Sequence, residues 1–119
     1  MASDAKRERA ATPEDIPRLF RQFVAAGDFA GLATLYEPDA VVALPAGKET
    51  RGSNAIAEVF RQVFAERPAG GPTGQLQPVL YCGDLALTST RLSDGRVTAE
   101  VARRQPDGSW RWVIDQPNV

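Results

Sequence analysis

The spacing of apolar residues changes once along this chain, and the change divides it into a helical part and a part made of strands. Up to residue 64, apolar residues recur at spacings of three and four in three stretches, with one short extended segment before the third. From residue 75 onward they alternate with other residues, as in half-buried strands. Helices grouped apart from strands indicate an α+β domain. The order α-α-β-α-β-β-β-β predicts three N-terminal helices packed against a curved, mostly antiparallel sheet, with an apolar pocket between the layers.

Capping residues and prolines predict where the three helices begin and end. The helices are expected between Thr12 and Gly27, between Asp28 and Pro38, and between Ser53 and Pro68, with the extended segment at 40–44. A connector at 69–74 leads into four strands, at 75–82, 85–92, 96–105 and 110–115. Turn signals between consecutive strands, such as Asp94-Gly95, predict an antiparallel meander, and Pro78 predicts an edge position or a bulge.

Composition excludes several classes of function. The chain has no histidine among its 119 residues, which excludes Ser-His-Asp and Cys-His catalysis and most zinc chemistry. The single cysteine, Cys82, excludes an internal disulfide, is typical of the reducing cytoplasm, and is expected to be a buried, inert thiol. A net charge of -1 and the lack of a clustered basic face predict no nucleic-acid partner. No apolar run approaches the ~20 residues of a membrane span, and no metal or cofactor motif is present, so none of these partners is expected.

The length predicts one domain at 13–119, preceded by a flexible tail at 1–12. Three stretches then carry a resemblance, namely FVAAGDFAGLATLYEPDAVVALPAG, RGSNAIAEVF and RRQPDGSWRWVIDQP. Together with the order of elements, they resemble the cone-shaped family that includes nuclear transport factor 2, ketosteroid isomerase and the SnoaL-like polyketide cyclases. The resemblance covers 13–117 and implies a cone-shaped fold. Members of this family include isomerases, cyclases, epoxide hydrolases and transport factors, so the resemblance does not fix an activity.

The resemblance also allows a residue-by-residue comparison with ketosteroid isomerase. Leu44 stands where that enzyme has its aspartate base, and Phe20 stands where it has its oxyanion-hole tyrosine. Leucine cannot abstract a proton and phenylalanine cannot donate a hydrogen bond, so the steroid isomerase mechanism is not expected. Glu100 corresponds to the aspartate that completes the oxyanion hole in that enzyme.

Period-two alternation assigns the residues of the last strands to faces. On the final strand, Asp115 shares a face with Val113, and the opposite face carries Trp110, Trp112 and Ile114. The resemblance implies that the Asp115 face points into the cone. The two tryptophans would then lie on the outer face of the sheet and form a homodimer contact.

Asp115 and Glu100 are the candidate acid and base, with the pKa of each raised by an apolar cavity, and Tyr36 at the end of the second helix is their hydrogen-bond partner. The alternative for both carboxylates is a structural ion pair, for example Glu100 with Arg104 or Arg91. The residues expected to line the pocket are Phe20, Phe23, Leu44, Phe60, Phe64, Val113 and Arg104.

Three hypotheses for the function follow. The first is a small-molecule pocket that performs acid/base chemistry without a cofactor, such as isomerisation, aldol-type cyclisation or water addition, on an apolar carbonyl compound. The second is a binding or sensing domain without turnover. The third is a dimerisation module in which Trp110 and Trp112 carry the function.

Overall fold

The computed structural model describes residues 7–66 and 73–119. In these residues the chain forms an α+β fold in which helices cover one side of a curved, mixed sheet. The helices are α1 Asp15–Ala26, α2 Phe29–Ala33 and α3 Ser53–Ala65. The strands are β1 Tyr36–Val42, β2 Thr50–Arg51, β3 Gly74–Leu76, β4 Leu80–Cys82, β5 Leu85–Thr88, β6 Thr90–Leu92, β7 Ala99–Arg104 and β8 Trp110–Gln116. The predicted fold class is confirmed.

The main sheet has the strand order β2-β1-β8-β7-β5-β4, and β3 and β6 form a separate pair. In the main sheet β1 and β8 are parallel and the other neighbours are antiparallel. None of the helices in 7–66 and 73–119 combines the length and the apolar character needed to cross a membrane.

Each of the two strands predicted at 75–82 and 85–92 is divided into two shorter strands. The division lies at Pro78 on one side and at Ser89 on the other. Proline has no backbone N–H to donate to a sheet, so the ladder is interrupted there. The Gln77 amide still donates to the Ser89 carbonyl at 2.8 Å, and the hairpin therefore continues through the bend. Its far end, β3 and β6, leaves the main sheet, and Thr90 and Leu92 of β6 line the cavity described below.

The second helix is shorter than predicted, and Tyr36 is the first residue of β1 instead of the last of α2. The Asp28 side chain caps α2 by accepting from the Gly31 amide at 3.0 Å, as predicted. The Trp112 amide donates to the Leu35 carbonyl at 2.7 Å and draws the chain into the sheet before Pro38 is reached. Tyr36 therefore points into the fold from a strand, and its side chain is fully buried.

Helix α1 stops at Gly27 as predicted, with a φ of 68°. Its first turn differs from the prediction, because the helix begins at Asp15 and Glu14 stands at the cap position without a side-chain hydrogen bond. The Asp15 carboxylate accepts from the amides of Ala11 and Thr12, each at 3.2 Å. At α3, Ser53 is the first helical residue and Gly52 stands at the cap without a side-chain bond.

Residues 7–12, which we expected to belong to a flexible tail, are held against the domain. Ala10 is buried, and its carbonyl accepts from the Trp110 amide at 2.9 Å. The Arg7 guanidinium pairs with Asp28 at 2.9 Å. The charged composition of this segment predicted a solvated terminus. In the structure, a charged residue instead binds the segment to the domain. The predicted connector at 69–74 lies outside the described residues except for its last two residues.

A bulge in β8 changes which residues point inward. Ala102 pairs with Trp112 and Val101 pairs with Ile114, so Val113 has no partner on β7. The extra residue puts Trp112 and Asp115 on the same face, although their spacing of three predicts opposite faces. Trp110 and Trp112 are 6% and 4% exposed, whereas Ile114 is 53% exposed. The prediction that the tryptophans lie on the outer face is therefore wrong.

Candidate active site

A cavity of about 180 Å³ lies between helices α1 and α3 and the inner face of the sheet. Its walls are mostly apolar, and its polar groups belong to strands β6 to β8, to Thr98 just before β7, and to two arginines. The lining residues are Pro17, Phe20, Arg21, Leu44, Phe60, Val63, Phe64, Thr90, Leu92, Arg96, Thr98, Glu100, Trp112, Asp115 and Pro117.

Four of the seven residues expected to line the pocket do so, namely Phe20, Leu44, Phe60 and Phe64. The other three are not among the lining residues. Phe23 packs against the core cluster from the side of α2, and Val113 occupies the bulge. Arg104 is exposed, pairs with Asp84 at 3.5 Å and lies over the Trp110 ring.

The aromatic side chains form a continuous wall over the polar end of the cavity. The Phe20 ring meets Phe60 edge-on with centroids 5.1 Å apart, and the Phe20 and Trp112 rings are 6.0 Å apart. Phe64 extends the wall, 6.1 Å from Phe20. Because these rings exclude water, an ionised group beneath them loses hydration.

Glu100 and Asp115 meet at the floor of this cavity. They are direct partners in the β7–β8 register, which brings their Cβ atoms to about 4.5–5.5 Å. Each residue is 5% exposed. Burial, together with the nearby Glu100 charge, raises the pKa of Asp115 from 3.8 to about 8, despite the opposing hydrogen bond from Tyr36. Asp115 is therefore neutral near pH 7 and able to donate a proton.

Tyr36 supports the Asp115 side of the pair. Its hydroxyl donates to Oδ2 of Asp115 at 2.5 Å, and the tyrosine does not itself line the cavity. Burial raises the pKa of Tyr36 well above its ordinary value, with the Asp115 charge and hydrogen bond adding to the rise. Tyr36 thus remains a donor across the physiological range, ready to stabilise Asp115 when that carboxyl loses its proton.

A second hydrogen-bond chain supports the Glu100 side. The Trp112 indole Nε1–H donates to the Thr88 Oγ1 at 3.1 Å, and the Thr88 hydroxyl donates to Oε1 of Glu100 at 2.6 Å. An indole nitrogen can only donate, so it directs the single hydroxyl hydrogen of Thr88 toward Glu100. Burial raises the pKa of Glu100, while the hydrogen bonds from Thr88 and Thr98 lower it. These donors favour the ionised form of Glu100.

The pair therefore has an acid and a base in adjacent positions. Two carboxyls side by side in an apolar site cannot both be ionised at low cost, so one proton is shared between them. Asp115 is the member that holds it, and Glu100 is the member whose donors stabilise the charge. In 7–66 and 73–119 neither carboxyl forms an ion pair with an arginine, which argues against the structural alternative.

Two further expectations concern cysteine and metals. Cys82 is exposed on β4 and not buried as predicted, because β4 is the edge strand of the main sheet. Among the described residues, no group of three or more His, Cys, Asp or Glu side chains is placed to hold a metal ion.

Thr88 and Trp112 were missed as site residues. The alternation over 85–92 favours the leucines as the buried face, and the structure buries Ala86 and Thr88 instead. Trp112 was assigned to the outer face because the bulge leaves no mark in the residue pattern. The one feature that could have identified Thr88 is its position opposite the Glu100 carboxylate on the neighbouring strand. That position can be recognised only when the register of the two strands is known.

Comparison with known proteins places this fold in a family. The family model described as a SnoaL-like domain matches residues 17–115. A search of curated proteins finds no significant match.

Solved structures share the fold at low identity. A crystal structure from Thiobacillus denitrificans, provisionally named a calcium/calmodulin-dependent protein kinase type II association domain, is 21% identical with a TM-score of 0.71, over 95% of this chain and 100% of that chain. A provisionally named dehydratase of the NTF2-like family from Streptomyces avermitilis is 19% identical with a TM-score of 0.66, over 85% and 88% of the chains. A provisionally named aromatic ring hydroxylase from Novosphingobium aromaticivorans is 21% identical with a TM-score of 0.65, over 87% and 82%. Similarity at this level extends to the fold alone. Because the family model spans most of the chain, this protein belongs to the SnoaL-like domain family, with the cone-shaped fold of nuclear transport factor 2.

Proposed function

We propose that the cavity is the active site of an acid/base enzyme that works without a cofactor and moves a proton on a small apolar carbonyl compound. One observation carries the proposal, namely the buried Glu100–Asp115 pair at the floor of an apolar cavity, with a separate donor bound to each carboxyl. Pairs of titratable groups whose environments push them toward opposite protonation states are typical of acid/base catalysis.

The elementary step is enolisation. Ionised Glu100 removes a proton from the carbon next to the carbonyl, and that C–H electron pair becomes the C=C bond. The carbonyl π electrons take up the proton of neutral Asp115, and Tyr36 donates to the carboxylate that remains. Return of the proton to a different carbon gives isomerisation, attack of the enol on a second carbonyl gives cyclisation, and loss of a β-hydroxyl group gives dehydration.

The size of the cavity limits the substrate. About 180 Å³ is close to the ~150 Å³ of an engineered cavity that binds benzene, and it is smaller than the ~300–1,000 Å³ of sites for drug-sized ligands. The volume supports a ligand with one ring or a short branched chain. A steroid or a polycyclic polyketide exceeds it.

Deuterium exchange tests the elementary step without knowledge of the product. Acetophenone and cyclohex-2-enone are incubated with the protein in D₂O, and loss of the α-proton signal is followed by NMR. We expect catalysed exchange that falls by about 10²–10⁴-fold in Glu100→Gln, because the base is removed. Asp115→Asn should also slow it. Glu58→Gln, an exposed carboxyl on α3 outside the cavity, is the matched control.

Exchange that is equal in the native protein and in Glu100→Gln would refute the proposal. A parallel thermal-shift measurement identifies the binding alternative. A ligand at a hundred times its dissociation constant stabilises the native state by about 2.7 kcal/mol. Stabilisation without any catalysed exchange would assign the cavity to binding or sensing.

We also propose that the protein is a homodimer through the outer face of the sheet, with a contact different from the two tryptophans. The register aligns five apolar side chains into one row across five strands: Leu80, Leu87, Val101, Ile114 and Val41. Leu80, Leu87 and Ile114 are 65%, 41% and 53% exposed. An apolar row of this kind on a single chain favours a partner, and a twofold axis would set the row against itself.

Sedimentation velocity tests the dimer. The double variant Leu87→Ser, Ile114→Ser should sediment as a monomer at concentrations where the native protein is a dimer. Gln62→Ser, an exposed residue on α3 away from the outer face of the sheet, is the control. A variant that stays dimeric, or a native protein that is monomeric throughout, would exclude this interface.

A further inference from the structure

The mouth of the cavity carries an arginine whose position is built into the fold. Arg21 lies on α1, lines the cavity and is exposed to solvent. Its guanidinium reaches across to β3 at Gly74. A Cβ atom at residue 74 would stand 2.8 Å from Nη2 of Arg21 and 2.5 Å from Cγ2 of Thr90. Because residue 74 is a glycine and has no side chain, there is space for the Arg21 guanidinium at this position.

Arg21 differs from the other arginine of the cavity in its charge balance. Nε of Arg96 donates to Oδ2 of Asp94 at 2.8 Å, so a carboxylate partly neutralises Arg96. In the part of the chain that the structure describes, Arg21 forms no ion pair or hydrogen bond. The cavity thus carries an uncompensated positive charge at its mouth.

The opposite end of the cavity has the opposite sign. Glu100 and Asp115 share a proton at the floor, and neither carboxyl owes its pKa to Arg21. A ligand with an anionic group would be repelled from the floor and attracted to the mouth. A ligand with a carbonyl at one end and an anion at the other would therefore enter in one orientation, carbonyl first.

We propose that Arg21 binds a carboxylate of the substrate, so that the substrate is a one-ring carbonyl compound whose apolar body carries a carboxylate remote from the carbonyl. The inference rests on the proposed acid/base function, to which it adds a substrate class. Arginine suits this role because its planar guanidinium can meet both carboxylate oxygens at once. The charge at Arg21 would select and orient the substrate, and the chemistry would stay with Glu100 and Asp115.

A matched pair of probes tests the role of Arg21. The compound 4-acetylbenzoate has a carboxylate opposite its acetyl group, and 4-acetylbenzamide is its neutral counterpart of the same shape. Isothermal titration should give a dissociation constant about tenfold lower for the benzoate, as expected for one charge-assisted contact at an exposed site. In Arg21→Gln the two constants should become equal, with the amide unchanged. Added salt should reduce the preference in the native protein.

Arg61→Gln removes the same charge from an exposed position on α3 outside the cavity, and the benzoate preference should survive it. Since Arg21 has no described polar partner, its replacement is expected to leave the fold intact. Equal affinities in the native protein, no measurable binding of either probe, or a preference that survives Arg21→Gln would each overturn the inference.

The acetyl protons of both probes also report on the proposed function. If the amide exchanges deuterium in a Glu100-dependent way and no benzoate preference exists, the role of Arg21 is wrong and the acid/base function stands. If the benzoate binds through Arg21 and neither probe exchanges, the anion site stands and the acid/base function fails.

Discussion

The two faces of the main sheet are made by the same strands and carry different kinds of side chain. On β5, β7 and β8, the inner face carries Thr88, Glu100 and Asp115, and the outer face carries aliphatic residues such as Leu87 and Ile114. Hydropathy alone would put the aliphatic residues inside. The difference teaches that a sheet which covers a cavity with a polar floor need not bury its most apolar face.

Hydrogen bonds offset the cost of burying polar side chains on the inner face of the sheet. In the described residues, no buried side-chain nitrogen or oxygen lacks a hydrogen-bond partner. Tyr36 donates to Asp115, Thr88 donates to Glu100, and Trp112 donates to Thr88, so the burial of these polar groups is offset. On the outer face, by contrast, the aliphatic residues Leu80, Leu87 and Ile114 remain exposed. A substitution on the inner face is therefore expected to change both the stability of the fold and the protonation of the two carboxyls.

The largest expected contrast is between two residues of β8, on either side of the bulge. Trp112→Ala should lower the free energy of unfolding by about 3–5 kcal/mol, because a buried ring that packs on Phe20 and Tyr36 is removed. Ile114→Ala, on the outer face, should cost less than about 1 kcal/mol in the monomer. Urea unfolding at low protein concentration measures both.

Because a dimer would protect Ile114, the comparison is made under conditions where sedimentation shows a monomer. Losses of equal size for the two variants would mean that the inner and outer faces contribute alike to the folded monomer, and the contrast would be wrong.

The next effect is the pH dependence of stability caused by Asp115. Its native pKa of about 8 lies above its ordinary value of 3.8, so between these values the native state holds a proton that the unfolded chain releases. The free energy of unfolding should therefore fall as pH rises from about 4 to about 8 and level off above, by a few kcal/mol in total. Asp115→Asn should remove most of the fall and leave a smaller slope from Glu100, whose pKa is also raised.

Asp39→Asn, an exposed carboxyl on β1, should keep the full slope. Urea unfolding from pH 5 to pH 9 gives the measurement. A native protein whose stability is flat or rises over this range would show that Asp115 ionises in the folded state, and the assignment of Asp115 as the acid would fail.

The sequence predicted the fold well because its signals are local. The apolar spacing of α1 and α3, the Gly27 stop and the Asp28 cap act within a few residues, and each appears in the structure. The second helix was predicted too long because a backbone bond from Trp112, distant in sequence, takes Leu35 into the sheet. Such a bond leaves no pattern in the segment itself.

The site was predictable in part. Glu100 and Asp115 were named from strand alternation and from the resemblance, and both lie at the floor of the cavity. Tyr36 was named from its place at the end of the second helix, and it donates to Asp115 without lining the cavity. Trp112 was assigned to the wrong face because one unpaired residue, Val113, reverses the alternation between Trp112 and Asp115. A bulge is set by the pairing of two strands and not by the residues of one, so a single strand's sequence does not contain it.

The smallest of the three effects isolates the support given to Glu100. Thr88→Val keeps the shape of the side chain and removes the hydroxyl that bridges Trp112 and Glu100. The indole N–H and the carboxylate would both be buried without this partner, at a cost of about 1–3 kcal/mol in unfolding free energy. Because the Thr88 hydrogen bond lowers the pKa of Glu100, its loss should raise that pKa further.

NMR titration of the Glu100 side-chain carboxyl measures the shift, and Thr88→Ser, which restores a hydroxyl, should return both the pKa and most of the stability. A purely structural threonine would lower stability without moving the Glu100 titration. If the pKa of Glu100 rises as expected, Glu100 becomes ionised at a higher pH. The lower pH limit of catalysed deuterium exchange should rise by the same amount. The two changes together would show that the Thr88 hydroxyl controls both the stability of the inner face and the ionisation of the proposed base.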